Sequence, residues 1–230
     1  MNDRKVKVTI GGLLHDIGKI VYRDERSKKN HSYAGKEFIE KNISSLNDKE
    51  IIDQIFYHHS DMLSNATLEE NSLAYVTYIA DNISAGTDRR KNEGDDERGF
   101  DVGLELQSVF NILNSNNEKK TYDGKTFEKE DVNYPKDGKG AIDRELYKNI
   151  KLKIKNALNG VNISKESINS ILEVFEATST FVPSSTNKEE IADISIFDHS
   201  KMTAAIGACI LEYLEANNIN DYKNELQKNA

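Results

Sequence analysis

The stretch GGLLHDIGKI, positions 11 to 20, sets His15, Asp16 and Lys19 inside an otherwise apolar run, where burying a charge without a partner is expensive. An ordinary core helix would carry leucine or alanine there, so His15 and Asp16 either satisfy each other or face a metal. The other histidines bear on that choice. All five, His15, His31, His58, His59 and His199, fall at or beside an expected helix, and none lies in the long polar stretch at 84–143. Asp16 follows His15 directly, and Asp81 stands in the apolar pattern AYVTYIADNIS with Ala74 and Tyr78 on its own helical face. Imidazoles with carboxylates are a ligand set for divalent transition metals. A carboxylate with two free oxygens can bridge a pair of ions about 3.5–4 Å apart, and such a pair activates water for attack on a phosphoester. Taken singly, each residue has an ordinary reading: a satisfied core histidine or, for YHHSD, cations at the negative end of a helix. Those readings do not account for the set. Lys19, one turn past His15, suits a phosphate oxygen or the attacking water if a metal is present, and an exposed stem otherwise.

These residues must be positioned by helices. Val6, Ile10, Leu13, Leu14, Ile17, Ile20 and Val21 recur at helical spacing and predict one helix from Asn2 or Asp3 to Tyr22. Gly11 and Gly12 each cost such a helix about 1 kcal/mol relative to alanine, which implies that another element packs very closely there. Further helices are expected at Ser32 to Asn42, Asp48 to His59 and Glu69 to Ile83, so the first 83 residues read as a four-helix unit. On that reading His58 and His59 are neighbours on a helix, diverge by about 100°, and reach one ion together only if one goes around its edge. From Ser84 to about Asp143 the chain is polar, glycine-containing and without helical periodicity. Short β segments are expected at Leu106 to Leu113 and Lys120 to Phe127, with YDGK as a hairpin turn. Helices resume at Arg144 to Leu158 and Lys165 to Ala177. After the loop TSTFVPSSTNKEEIAD a last, strongly apolar helix begins near His199. The fold class is all-α, a helical bundle with an irregular polar insertion that has room for short β segments.

Composition bounds the rest. A chain of 230 residues with 37% hydrophobic and 30% charged content describes a globular protein with one good core. The single Cys209 excludes a disulfide framework and a multi-cysteine zinc site, and its apolar helical setting predicts a buried thiol. MNDRKVKV lacks the apolar core of a signal peptide, and no apolar run approaches the roughly 20 residues that cross a bilayer. The expectation is a cytoplasmic protein without membrane contact. A net charge of −8 argues against broad electrostatic wrapping of nucleic acid. It leaves room for local basic paths, and two stand near the candidate ligands: RDERSKKN, with Arg23, Arg26, Lys28 and Lys29, and Arg89, Arg90 and Lys91 beyond Asp81. Solvated charge runs are the plain alternative.

LLHDIGK, NHS, YHH and YIADNIS, in that order, resemble the HD phosphohydrolase superfamily. Its two-metal site uses a His on a first helix, then His-Asp, a His, a His-His pair and an Asp. The opening His is missing here, yet FDHSKMTAAIGAC near the C-terminus resembles that family's opening helix, so His199 fills the position if the domain is circularly permuted. That ordering, with SAGTDRR, LQSVFNIL and TSTFVPSST, is similar to the N-terminal HD nuclease domain of the large subunit of type III-A CRISPR interference complexes. The resemblance implies His15, Asp16, His31, His58, His59, Asp81 and His199 as metal ligands, with Asp16 bridging both ions. With Lys19 one turn past His15, the candidate catalytic set is His15, Asp16 and Lys19, and the two basic loops offer Lys28, Lys29, Arg89 and Arg90 as contacts to nucleic acid. Two divalent transition metals (Mn, Co, Ni or Fe) would serve cleavage of single-stranded DNA, with RNA as the other candidate strand. The partners implied are the other subunits of the ribonucleoprotein, with crRNA and target RNA. NEGDDE at Asn92 to Glu97 lacks the first glycine and the flanking apolar strands of the palm's Gly-Gly-Asp-Asp turn, so cyclase activity does not carry over. The implied layout is a metal-site domain at 1–83 and 144–217, an insertion at 84–143, and a segment 218–230 leading toward a palm domain that this chain lacks. Two rival classes stay open: an HD phosphohydrolase of small nucleotides, with a closed pocket, and a non-catalytic docking module.

Overall fold

The computed structural model describes residues 2–25, 29–88, 90–91, 98–113, 115, 119–127, 132–138 and 140–227. Arg26, Lys28, Arg89 and the NEGDDE stretch lie outside these. Among the described residues the helices are α1 (Asp3–Leu14), α2 (Ile17–Glu25), α3 (His31–Asn42), α4 (Lys49–Phe56), α5 (Ser60–Ser64), α6 (Leu73–Asp88), α7 (Phe110–Leu113), α8 (Arg144–Leu158), α9 (Ser167–Ser179), α10 (Ile196–Ala216) and α11 (Tyr222–Gln227). One small antiparallel pair joins β1 (Lys120–Thr121) to β2 (Lys136–Asp137). The all-α expectation holds.

Helix starts follow side-chain chemistry. Asn2, Asn30, Asp48, Asp143 and Ser195 each accept a hydrogen bond from a first-turn backbone N–H of α1, α3, α4, α8 and α10, as N-cap residues do. The apolar stripes of these helices meet in a core that includes Ile10, Leu13, Leu14, Ile39, Ile51, Ile55, Tyr147 and Phe175. A second cluster, Val8, Leu73, Val76, Leu211 and Leu214, joins α1, α6 and α10. The glycines in α1 do what their cost implied. A Cβ on Gly12 would lie 2.7 Å from the Ala204 Cα, and one on Gly11 would overlap the Gln54 side chain at 2.2 Å. A Cβ on Gly18 would fall 1.8 Å from the His31 carbonyl oxygen, so this glycine lets α2 meet the start of α3.

Several expected boundaries are corrected. The single helix to Tyr22 is two, broken at His15 and Asp16, where the His15 ring bonds back to the Gly12 carbonyl. The helix expected to reach His59 stops at Phe56. Of residues 106–113, Gln107 makes one antiparallel bridge to Thr121 and the C-terminal end is the single turn α7, while Lys120–Thr121 pairs with Lys136–Asp137 instead of folding back through YDGK. α6 continues past Ile83 to Asp88. Cys209 is exposed, because α10 turns Ala204, Gly207, Leu211 and Leu214 inward and leaves Cys209 on the opposite face. Residues 222–227 form α11 and pack on α6, with Tyr222 buried. No helix among the described residues is long and apolar enough to cross a membrane.

Candidate metal centre

Breaks and helix starts, rather than helix middles, supply the site. His15 and Asp16 occupy the turn between α1 and α2. His31 opens α3, and His58 and His59 lie between α4 and α5. Asp81 projects from α6 and His199 from the first turn of α10, which packs across α1 and α6. The seven residues named from sequence therefore meet. The idea that His58 and His59 diverge on a helix is corrected: they sit in extended and turn backbone, with ring centroids 4.0 Å apart.

Two groups of three form, each with ligand atoms within 4.8 Å of one another: His31, His58 and His59, and His15, Asp81 and His199. Asp16 stands between them. Its Oδ1 faces His31 Nε2 at 3.5 Å and His58 Nε2 at 3.8 Å. Its Oδ2 faces His15 Nε2 and His199 Nε2, both at 3.4 Å, and Lys19 Nζ at 2.6 Å. In the second group His199 Nε2 lies 3.0 Å from Asp81 Oδ1.

Outer bonds fix which ring nitrogen points inward. His15 Nδ1 donates to the Gly12 carbonyl at 2.7 Å, and His58 Nδ1 to the Ile55 carbonyl at 2.8 Å. A carbonyl only accepts, so in the neutral rings both Nε2 atoms carry the lone pair, directed into the site. Ser84 Oγ holds His199 Nδ1 at 3.2 Å. Burial, the largest influence, pushes the His31, His58 and His59 imidazoles below their usual range. For His15, burial opposes the charge, yet the Asp16 and Asp81 carboxylates outweigh it and raise the ring to about 10. Both carboxylates are held well below the usual range against burial, Asp16 chiefly by Lys19 and His15, Asp81 by its contacts with the His15 and His199 rings.

This donor set fits a divalent cation. His31 Nε2 lies 3.2 Å from His58 Nε2 and 2.7 Å from His59 Nε2. Three neutral imidazoles converge there, and one proton on His31 can serve only one neighbour. His15 Nε2 is buried without any hydrogen-bond partner, and Asp16 Oδ2 has ion-pair contacts but no hydrogen bond. Buried polar atoms without partners are rare, and a missing ion is one of their explanations.

The site opens into a cleft of about 680 Å³ whose floor includes Asp16, Lys19, His31, His59, Asp81 and His199. Its far wall is the strap 183–195, to which the sequence reading gave no role. The hydroxyl run Ser184, Ser185, Thr186 was the available signal. The strap is bound along both edges: Ile191 N–H donates to the Arg90 carbonyl at 2.8 Å, and Asp101 N–H to the Thr186 carbonyl at 2.8 Å. Arg23, counted with a basic loop, is instead buried in α2 and donates to the Pro183 and Ser184 carbonyls at 2.7 and 2.9 Å. Arg90 is engaged with buried Asp193. Lys29 does line the cleft, paired with Glu37 at 3.5 Å and lying 4.1 Å over the Tyr33 ring.

The HD domain family matches residues 1–86, and an HD domain implies divalent-metal binding. Two relatives described as "CRISPR system single-strand-specific deoxyribonuclease Cas10/Csm1 (subtype III-A)" cover nearly all of this chain. The one from Enterococcus italicus is 39% identical over 97% of it, and the one from Mycobacterium tuberculosis 36% identical over 98%. The chain spans 31% of each relative's length. The crystal structure of Csm1 in T. onnurineus superposes on 91% of this chain, and on 29% of that one, with TM-score 0.66 and 25% identity. A Csm1-Csm4 cassette in complex with cA4 covers 90% of this chain and 28% of that one, with TM-score 0.65 and 26% identity. Along nearly its whole length the chain is similar to part of the subtype III-A Cas10/Csm1 proteins, and the HD domain family matches it at residues 1–86.

Proposed function

We propose that this chain is a two-metal nuclease domain that hydrolyses the phosphodiester bonds of single-stranded DNA. It works as part of a cytoplasmic type III-A CRISPR complex with other protein subunits, crRNA and target RNA. The observation that carries the reading is the division of Asp16, one oxygen toward each three-residue group. His15, Asp81 and His199 would hold one ion and His31, His58 and His59 the other, with the Asp16 carboxylate placed between the two groups. Manganese, cobalt, nickel and iron suit such nitrogen and oxygen ligands. When bound, the pair supplies an activated water and offsets charge on the leaving oxygen. The chain does the positioning. Carbonyls behind His15 and His58 keep their Nε2 lone pairs forward, and Ser84 orients His199. Lys19, within reach of Asp16 Oδ2 and of Ser184 Oγ at 3.5 Å, offers its ammonium to a phosphate oxygen. α10 stands in for the opening helix of an unpermuted HD domain. The cleft's open rim, with Lys29 and Phe100 exposed along it, favours a strand over the closed pocket of a small-nucleotide hydrolase.

The test is to load the purified chain with Mn2+ and compare 5′-labelled single-stranded and duplex DNA, with ion content measured on the same sample. Two ions per chain and chelator-sensitive cleavage of single strands are expected. Equal cutting of duplex, or cutting that survives EDTA, would overturn the reading.

A further inference from the structure

Phe100 is the most exposed large hydrophobic residue among those described, at 80%, and it stands on the rim of the metal-site cleft. Exposed phenylalanines are unremarkable on mobile surface loops, but the backbone here is fixed. Lys188 N–H donates to the Gly99 carbonyl at 2.9 Å, Asp101 N–H donates to the Thr186 carbonyl at 2.8 Å, and Phe100 bridges Asn187 between them. Gly99 takes φ of 101°, a left-handed turn that favours glycine, immediately before the ring. The segment therefore carries an apolar ring to the mouth of a polar site and holds it in water without covering it. The facing helix α2 supplies a second half-exposed ring, Tyr22, on the same cleft. Lys19 of α2 and Lys29, just beyond that helix, line the same cleft.

We infer that Phe100 is a specificity-determining residue that stacks on an unpaired nucleobase adjacent to the scissile phosphate. This rests on the nuclease reading above and adds the source of strand selectivity. The metal-site ligands grip only a phosphodiester, which single strands and duplexes share. A ring at the rim can stack only on a base that has left its own stack, which single strands offer freely and duplexes offer at a cost. Stacking is also tolerant of base identity, since every base has a π face.

The chain contains no tryptophan, so Phe100→Trp creates a single reporter at the rim. Oligothymidylate bound in EDTA, with binding followed independently by anisotropy, should quench the indole fluorescence of that variant. It should leave a control reporter, Tyr213→Trp on the exposed side of α10, unchanged. In Mn2+, Phe100→Ala should raise KM for oligothymidylate roughly 5- to 100-fold, the size of one base–aromatic stack by truncation. Its kcat, and its hydrolysis of bis(p-nitrophenyl) phosphate, which offers no nucleobase, should stay at the wild-type values. Phe100→Trp should keep the wild-type KM. An unchanged KM in Phe100→Ala, or an equal loss on the small diester, overturns the stacking role while leaving the nuclease reading intact. A wild-type chain that cuts the small diester but no oligonucleotide overturns the nuclease reading itself.

Discussion

The two halves of the candidate metal centre are built on different principles. His31, His58 and His59 are separated by no more than 28 positions and come from two chain turns, with His31 and His59 facing the cleft. His15, Asp81 and His199 are more buried and draw on helices far apart in sequence, with 118 positions between Asp81 and His199. The first group is all imidazole, whereas the second includes a carboxylate. A local group of neutral ligands is set by short-range backbone geometry and survives moderate loosening of the bundle. A dispersed, charged group exists only while α10 lies tight against α1 and α6. Loss of tertiary order should therefore empty the second group first.

The largest effect is expected where the comparison collapses, at the residue common to both groups. Asp16→Asn keeps the side chain's shape and removes the charge that both halves share. Cleavage of single-stranded DNA should fall by ~10²–10³-fold, the scale of losing one essential electrostatic contact in a transition state. Ion content should drop on both sides, while far-UV circular dichroism stays at the wild-type level. Two tightly held ions in this variant would remove Asp16 from its bridging role. Next in size is His199→Ala, which should cost one ion and leave the other, because only the dispersed group loses a ligand. Affinity for the lost ion should fall beyond the roughly 10–100-fold typical of disturbing a ligand's supporting partner. If His199→Ala and His59→Ala release the same ion, judged by competition with a single equivalent of Co2+, the two-group description is wrong.

Part of the cluster was legible in the sequence for a chemical reason: histidine and aspartate inside apolar runs demand a partner, as His15, Asp16 and Asp81 do, whereas His199 was named only through the resemblance of FDHSKMTAAIGAC to an HD opening helix. What periodicity could not show is where the helices break. Ile17, Ile20 and Val21 continue the helical spacing of Ile10, Leu13 and Leu14, so local pattern reads through His15 and Asp16. The turn there is made by the His15 ring bonding the Gly12 carbonyl, and Gly18 admits the His31 backbone just beyond it. The same limit applies to His58 and His59. The strap 183–195 was illegible for another reason: its partners, Arg90, Gly99 and Asp101, lie about 90 residues upstream in a stretch without periodicity. Arg23 and Arg90 looked like free cations because nothing local announces the strap carbonyls and Asp193 that engage them.

Gly12→Val sharpens the dependence on α10 without replacing a candidate ligand, and the Gly12 carbonyl that orients His15 stays on the backbone. The added side chain must displace the Ala204 backbone, which a Cβ at this position already approaches to 2.7 Å. Overpacking of this kind costs about 1–3 kcal/mol, which lowers Tm by about 2–4 °C per kcal/mol in a domain of this size. The ion held by His15, Asp81 and His199 should weaken in proportion, while the ion held by His31, His58 and His59 is retained. Thermal melts with and without one equivalent of Mn2+ measure both. Equal weakening of the two ions would mean that the local group also depends on the α1–α10 seam.

The smallest effect should come from the open side of the cleft, where charge rather than coordination acts. Lys29 stands two residues before His31 and lies over the Tyr33 ring while paired with Glu37. Lys29→Glu removes one cation from the strand's path and leaves every candidate ligand in place. An exposed ion pair of this kind contributes little to stability, so Tm and ion content should not move. Binding of single-stranded DNA should weaken a few-fold at low salt. The slope of log affinity against log salt should become shallower by about 0.7, the share of one phosphate contact on a single strand. Hydrolysis of a small chromogenic diester should be unchanged, because that substrate does not extend to the rim. A parallel loss on the small diester would instead place Lys29 in support of His31, and would tie the local metal group to the α3 start more tightly than its two-turn construction implies.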